Sequence, residues 1–407
     1  MRIVIAPDSF KECITAGQVA AAISEGVIEA CPQAVIDICP MADGGEGTVP
    51  AIVTATGGRY ISADVFDPLG KIVRAKYALV SKAPEVHLPG EVGLVATWVD
   101  EADHENCACD GCLAVVEMAA ASGLELVPPS MRDPLHTTTY GTGQLITSAL
   151  DAGAGEIVLG VGGSATVDGG AGCAAALGVR FLDSAGCEIG PSICGGRLSE
   201  IASIDVTGLD SRIRPGMIQI ACDVSNPLTG ANGAARVYAP QKGATPEVVD
   251  MLEAGLENLC EVVQRDLGVD ISRLSSAGAA GGLAGGLVAF AGATMHRGFD
   301  LIAEAVGLGN RIGQAQLVIT GEGKLDAQSA YGKVCAGVAE FAREAGVAVI
   351  CIPGKVAHDA PIDMFQGVWP LVAEGVNEQQ AMNSPESLLT LRARQAMQRY
   401  MRTMLNR

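Results

Sequence analysis

Short apolar runs alternate with longer amphipathic stretches along this 407-residue chain, and several of the junctions are polar and rich in glycine. Residues 2–6, Arg2-Ile3-Val4-Ile5-Ala6, are too few for a helix and predict a buried strand. It ends in the polar turn Pro7-Asp8-Ser9-Phe10-Lys11. A helix follows, with Thr15 as its N-cap and Val19, Ile23, Val27 and Ile28 on one face. Val35 to Cys39 predicts a second strand, and Met41-Ala42-Asp43-Gly44-Gly45-Glu46-Gly47-Thr48 a polar loop before another helix. From Tyr60 to Val80, alternation around Asp67-Pro68-Leu69-Gly70 predicts a hairpin.

The same rhythm runs through the rest of the chain. Leu113 to Met118, Ile157 to Leu159, Val179 to Leu182 and Ile218 to Cys222 predict strands. Leu317 to Thr320 is a strand leading into Gly321-Glu322-Gly323-Lys324-Leu325-Asp326, followed by a helix over Val334 to Ala345 and a strand over Val347 to Ile352. Such alternation, with abundant Gly and Ala, is the signature of α/β architecture, and the length suffices for two or three domains. Near the end, Ser384-Pro385 supplies an N-cap and N1 pair. Leu388, Leu391, Met397, Tyr400 and Met404 then give the last helix an apolar face for packing. The uncharged stretch Leu274 to His296 is long enough to raise a membrane span, but it carries six glycines and much alanine. So little apolar area gains little from lipid, and the stretch predicts a close-packed helix beside a glycine loop.

Charge and cysteine usage narrow the class. A net charge of −19 argues against a nucleic-acid partner. The opening residues turn polar too quickly for a secretory h-region, so no export signal is expected. Thirteen scattered cysteines, an odd number, fit reduced thiols in a cytoplasmic protein better than a disulfide framework.

Four junctions repeat one pattern: a strand ends, small residues and carboxylates follow, and a helix begins. They are Asp8 to Lys11, Asp43 to Thr48, Gly160 to Gly170 and Gly321 to Asp326. Open α/β sheets bind ligands at the carboxyl ends of their strands. The third junction begins the run GVGGSATVDGGAG, Gly160 to Gly172, where backbone N–H groups could form a phosphate nest. The apolar run Ala171 to Leu177 could point a helix N-terminus at the same anion. Carboxylates beside such a nest suit a metal–nucleotide, although helix capping by Asp168 or Asp326 would explain either one alone. Lys11, Lys324 and Lys333 are the cations nearest these loops. The Walker pattern is absent, which excludes ordinary P-loop chemistry. A dinucleotide site is the competing reading, from Gly160-x-Gly162-x-x-Ala165 with Asp183 at the ribose spacing, but Asp168-Gly169-Gly170 interrupts the helix it needs. Separately, His104, Cys107, Cys109 and Cys112 lie within nine residues and could hold a structural Zn²⁺.

At these loops the chain resembles the class I glycerate kinase family. The matching stretches are IAPDSFKE, MADGGEGT, FDPLG, VEMAAASGL, TTTYGTG, GVGGSATVDGGAG, CDVSNPL, AAGGLAGGL and ITGEGKLDAQSAYGK. The resemblance implies an ATP- and Mg²⁺-dependent kinase acting on a hydroxyl of D-glycerate, with 2-phosphoglycerate favoured over 3-phosphoglycerate. A nicotinamide-dependent oxidoreductase of small hydroxy acids remains the alternative. It also implies two α/β domains, with residues 63–277 inserted in a discontinuous domain of 1–62 and 278–407, and the active site in the cleft between them. Residues 81–112 look like an extra insertion. On charge logic, Gly162, Gly163, Ser164 and Thr166 are expected at the nucleotide phosphates, and Asp168 and Asp223 at Mg²⁺ or its waters. Asp43 or Asp8 is the expected base or hydroxyl-positioning group. Lys11 and Lys333 would face the substrate carboxylate or the transferring phosphate, with Gly321, Glu322 and Asp326 completing the cleft wall as cofactor-binding residues. No membrane partner is expected, and a homodimer is left open.

Overall fold

The apolar runs assemble into two large sheets in a computed structural model that describes residues 1–11, 13–81, 111–190, 193–330, 333–373 and 375–405. In chain order their strands are β1 (Arg2–Ile5), β2 (Val35–Ile38), β3 (Arg59–Phe66), β4 (Ile72–Val80), β5 (Cys112–Glu117), β6 (Ala154–Gly160), β7 (Ile218–Ala221), β8 (Thr294–His296), β9 (Leu317–Thr320), β10 (Ala348–Cys351) and β11 (Gly367–Val368). The first sheet has the order β11-β10-β9-β1-β2 and is parallel throughout. The second has the order β8-β7-β6-β5-β4-β3. Its β5 to β8 half is parallel, while the expected hairpin β3–β4 and the β4–β5 pair are antiparallel.

Nine helices matter for packing: α1 (Ala16–Ala30), α2 (Thr48–Thr56), α3 (Tyr140–Asp151), α4 (Ala171–Ala176), α5 (Pro246–Leu267), α6 (Leu283–Ala291), α7 (Gly298–Ala305), α8 (Val334–Glu344) and α9 (Pro385–Leu405). Period-two alternation of side chains sends Ile3 and Ile5 of β1 to one face and Val4 to the other. Ile3 and Ile5 pack with Ile23 and Val27 of α1 and Ala393 and Met397 of α9. Val4 joins a core with Ile52 of α2, Ile302 of α7 and Val338 of α8. That core continues into Ala78, Val115 and Val158 of the second sheet, whose far face packs Leu145 of α3 and Leu287 of α6. The result is five layers, with each parallel array covered on both faces as its apolar strands require.

The first sheet is built from both ends of the chain and the second from its middle, so one α/β unit is inserted in the other. β3, the first strand of the second sheet, begins at Arg59, and α6 and β8 pack or pair with that sheet. Leu274 to His296 holds α6 and β8, and α6 packs against the Gly160 loop: a Cβ on Gly286 would meet the Gly169 carbonyl. Among the described residues no helix is long and apolar enough to cross a membrane. On α9 the buried stripe is Leu389, Ala393, Ala396, Met397 and Tyr400, and Met404 is exposed. The expected stripe missed the alanines, which let α1 approach closely.

Candidate active site

Backbone pairing continues past the ends of the first sheet's strands and aligns three carboxylates. The Asp8 N–H donates to the Gly321 carbonyl at 2.8 Å, Met41 N–H to the Pro7 carbonyl at 2.9 Å, and Gly354 N–H to the Glu322 carbonyl at 2.9 Å. Asp8, Asp43 and Glu322 therefore stand at the carboxyl edge of β1, β2 and β9, where open sheets hold ligands. With Lys11, Asp326 and Lys333 they line a cavity of about 390 Å³. Gly321 itself is buried beneath it, spacing Asp8 from the Ile352 backbone.

The charges in this cavity are mismatched in a useful way. Burial lifts the Asp8 carboxyl to about 7, and the Asp43 and Glu322 charges push the same way. The Ser9 N–H, 2.6 Å from Asp8 Oδ1, and the Lys11 charge oppose the shift. Burial also raises Glu322, against the pull of Lys333, and Glu322 Oε1 is buried with no hydrogen-bond partner. Lys324 is tied to Asp326 at 2.8 Å and Lys355 to Glu378 at 2.6 Å. Among the described residues, no carboxylate is ion-paired with Lys11 or Lys333, which leaves both ammonium groups for an anionic ligand.

A second cavity of about 480 Å³ opens at the carboxyl edge of the second sheet, and Lys11 and Asp43 line both. Gly162, Gly163 and Ser164, just past β6, form its lip, and Asp223 follows β7. Asp223 Oδ1 accepts from the Gly298 N–H at 2.9 Å. Displacement of water by surrounding protein, and then the Asp43 charge, raise the Asp223 carboxyl. Glu117, ending β5, accepts from the Val49 N–H at 2.7 Å and so caps α2. Glycine lets the two edges touch. Gly44 sits at φ +86° with no room for a Cβ beside Ala221, and a Cβ on Gly298 would meet the Asp43 carbonyl.

The Gly160–Gly172 loop divides into two halves with different jobs. Only 161–164 reach the cavity, and from Ala165 onward the loop is buried. This corrects two expectations. Thr166 is fully buried, so it cannot contact a nucleotide in this conformation. Asp168 is fully buried too: its Oδ2 accepts from the Thr139 N–H at 2.7 Å, the Thr139 hydroxyl at 2.8 Å and the Gly172 N–H at 3.3 Å, and its Oδ1 from the Gly170 N–H at 3.1 Å. Asp168 is thus itself the anion at the start of α4, with both oxygens taken up by the protein and neither facing the cavity in this conformation. Asp168→Ala would strand these buried donors and is expected to cost about 3 kcal/mol or more. A calorimetric scan checks this; an unchanged thermal midpoint with altered Mg²⁺ dependence would restore the metal role.

The dinucleotide alternative loses its geometry as well. α4 is only six residues long, and Asp183 closes a turn by accepting from the Ala185 and Cys187 N–H groups. The preceding strand, Arg180–Leu182, pairs with Ser203–Asp205 in a separate sheet and not with β6. Of the cysteine cluster, His104, Cys107 and Cys109 lie outside the described residues, and Cys112 is buried in the core at the start of β5. Among the described residues, no group of three or more His, Cys, Asp or Glu could hold a metal on its own.

One residue of the second cavity escaped the sequence reading. Lys242 is 1% exposed, and its Nζ donates to Ser164 Oγ and to the Thr166 carbonyl, each at 2.7 Å. Burial pulls its ammonium down to about 7, with the Asp168 charge opposing. The available signal was a lone cation in Val237 to Pro246, a stretch with no other charge.

Comparison with known proteins bears on this geometry. A family model described as the glycerate kinase family matches residues 3–401. The glycerate kinase of Bacillus subtilis is 46% identical over 360 residues, covering 88% of this chain and 86% of that protein. The glycerate 2-kinase of Escherichia coli is 44% identical over 368 residues, covering 90% of this chain and 89% of that one. A crystal structure of a protein assigned as glycerate kinase 2 from Salmonella typhimurium LT2 superposes with a TM-score of 0.84 at 42% identity, over 100% of this chain and 99% of that one. With paired cavities at the carboxyl edges of two parallel arrays, and this match across nearly its whole length, the chain is a kinase and belongs to the glycerate kinase family.

Proposed function

We propose that the protein transfers the γ-phosphoryl group of ATP to the 2-hydroxyl of D-glycerate, giving 2-phosphoglycerate and ADP. One observation carries the reading: a carboxyl poised near neutrality, Asp8, in a lysine-bearing cavity that meets a glycine-lipped one at Lys11 and Asp43. The first cavity suits a small hydroxy acid and the second a nucleotide. The names of the relatives support the substrate, and that of the Escherichia coli protein supports the 2-position. A cytoplasmic setting suits ATP use and free thiols such as those of Cys173, Cys260 and Cys335.

In this reading Lys333 faces the glycerate carboxylate, and Asp8 accepts the hydroxyl proton as the alcohol oxygen bonds to the γ-phosphorus. The bond from the β,γ-bridging oxygen to that phosphorus breaks, and ADP leaves from the Gly162–Ser164 lip. Glu322 and Asp326 belong to the Asp8 cavity and bound the substrate, not the nucleotide. Asp43 and Asp223 would hold Mg²⁺, which neutralises phosphate charge when bound. Two carboxylates fit it, because Mg²⁺ completes its shell with water and phosphate instead of a protein cage.

A coupled assay tests the reading. ADP release is expected only with D-glycerate, and enolase added alone should convert the product onward. ADP release that ignores D-glycerate would reject the reading, and a signal that also needs phosphoglycerate mutase would move the phosphate to the 3-position.

A further inference from the structure

Lys242 is a buried cation that the proposed chemistry has not yet used. Its side chain reaches the second cavity from the turn Pro240–Lys242, 78 residues away from Ser164 in sequence. An ammonium has three donors, and two are spent on Ser164 Oγ and the Thr166 carbonyl. Ser164 Oγ has one hydrogen to give and lone pairs to receive. Because the ammonium already donates to that oxygen, the hydroxyl hydrogen is left for another acceptor, and Ser164 lines the cavity. The Thr166 carbonyl bond ties the lip to the buried half of the loop. Among the described residues, no carboxylate is ion-paired with Lys242, and every oxygen of nearby Asp168 is taken up by Thr139, Gly170 and Gly172. A buried, unpaired ammonium is costly, and an anion at the lip would offset it. The lowering of this ammonium toward neutrality agrees with a site that lacks its counter-ion.

We propose that Lys242 is the positioning residue of the phosphate end of the site: it fixes the Ser164 hydroxyl as a donor and places positive charge behind the Gly162–Ser164 lip. The proposal rests on the reading that ATP phosphates bind at that lip. It differs from a packing role in what it predicts for the two substrates.

Lys242→Met keeps much of the volume and removes the charge. The KM for ATP is expected to rise about tenfold or more, the worth of a charge-assisted hydrogen bond, while the KM for D-glycerate stays within about twofold. Ser164→Ala should reproduce the hydroxyl's part of the loss, Ser164→Thr should restore it, and the double variant Lys242→Met/Ser164→Ala should be little worse than Lys242→Met alone. An unchanged KM for ATP, or equal effects on both substrates, overturns the proposal. If Lys242→Met fails to fold, the Ser164→Ala and Ser164→Thr pair decides it: no ATP-side difference between them is the negative result. Gly163→Asp separates this outcome from failure of the underlying reading. Gly163 is exposed at φ +70°, where Asp is among the few side chains found but is strained, and its Cβ would lie 3.3 Å from Ala119 Cβ. The variant puts a negative charge on the lip and is compared with Gly163→Asn, which carries the same strain without the charge. If Gly163→Asp weakens ATP and Lys242→Met does not, only the role of Lys242 falls. If neither variant affects ATP, the phosphates bind elsewhere.

Discussion

Asp8→Asn is expected to lower kcat for D-glycerate phosphorylation by about 10²–10⁴ while leaving the protein at least as stable at pH 8. The amide keeps an oxygen to accept from the Ser9 N–H, and it loses both the negative charge and the ability to take a proton. With the carboxyl near 7, wild-type kcat/KM should rise about tenfold per pH unit below that value and level above it. The stability consequence has the opposite sense. The folded carboxyl sits above its unfolded value of 3.8, so the native state holds the proton more tightly between about 4 and 7. This group's contribution is therefore fullest below the unfolded value and is lost as pH rises through about 7. At about 1.4 kcal/mol per unit the loss is up to about 4 kcal/mol, and less because the open cavity wets part of the carboxyl. Asp8→Asn should flatten this slope in a pH series of thermal midpoints. Retained turnover in the variant would give the proton to Asp43.

What the sequence could reveal followed from local physics. A capping box of Thr15 and Gln18 starts α1, the turn at Asp67 closes the β3–β4 hairpin, and short apolar runs followed by Asp8, Asp43 and Glu322 mark the ends of parallel strands. What it hid depends on contacts distant in sequence. Ser164 and Asp168 are four residues apart in one polar loop, yet the first meets the cavity and the second is sealed by Thr139. No local pattern distinguishes a carboxylate that holds a ligand from one that holds its own loop, because both are an Asp beside glycines and only distant segments decide which partners reach it. Lys242 was hidden for the same reason, since its partners lie in another segment. Gly44 and Gly298 were hidden in the same way: they act as close-approach points between two units that only folding brings together.

Lys11→Ala is expected to lower kcat about 10³-fold, with the KM for ATP and for D-glycerate each changed only a few-fold. Lys11 lines both cavities, so in the proposed mechanism its ammonium would stand where the phosphoryl group passes from donor to acceptor. A cation there meets more negative charge in the transition state than in either bound substrate, which lowers the barrier without tightening ground-state binding. Stability should barely move, because Lys11 is exposed and surface substitutions of this kind stay within about 0.5 kcal/mol. A second readout separates this role from simple substrate attraction. Lys11 is one of the charges that hold Asp8 down, so its removal should move the rise in kcat/KM to higher pH. Single-turnover rates measured across pH would show both effects together. An unchanged rate with a raised KM for D-glycerate would make Lys11 a carboxylate ligand, leaving Lys333 as the cation that meets the transferring phosphate.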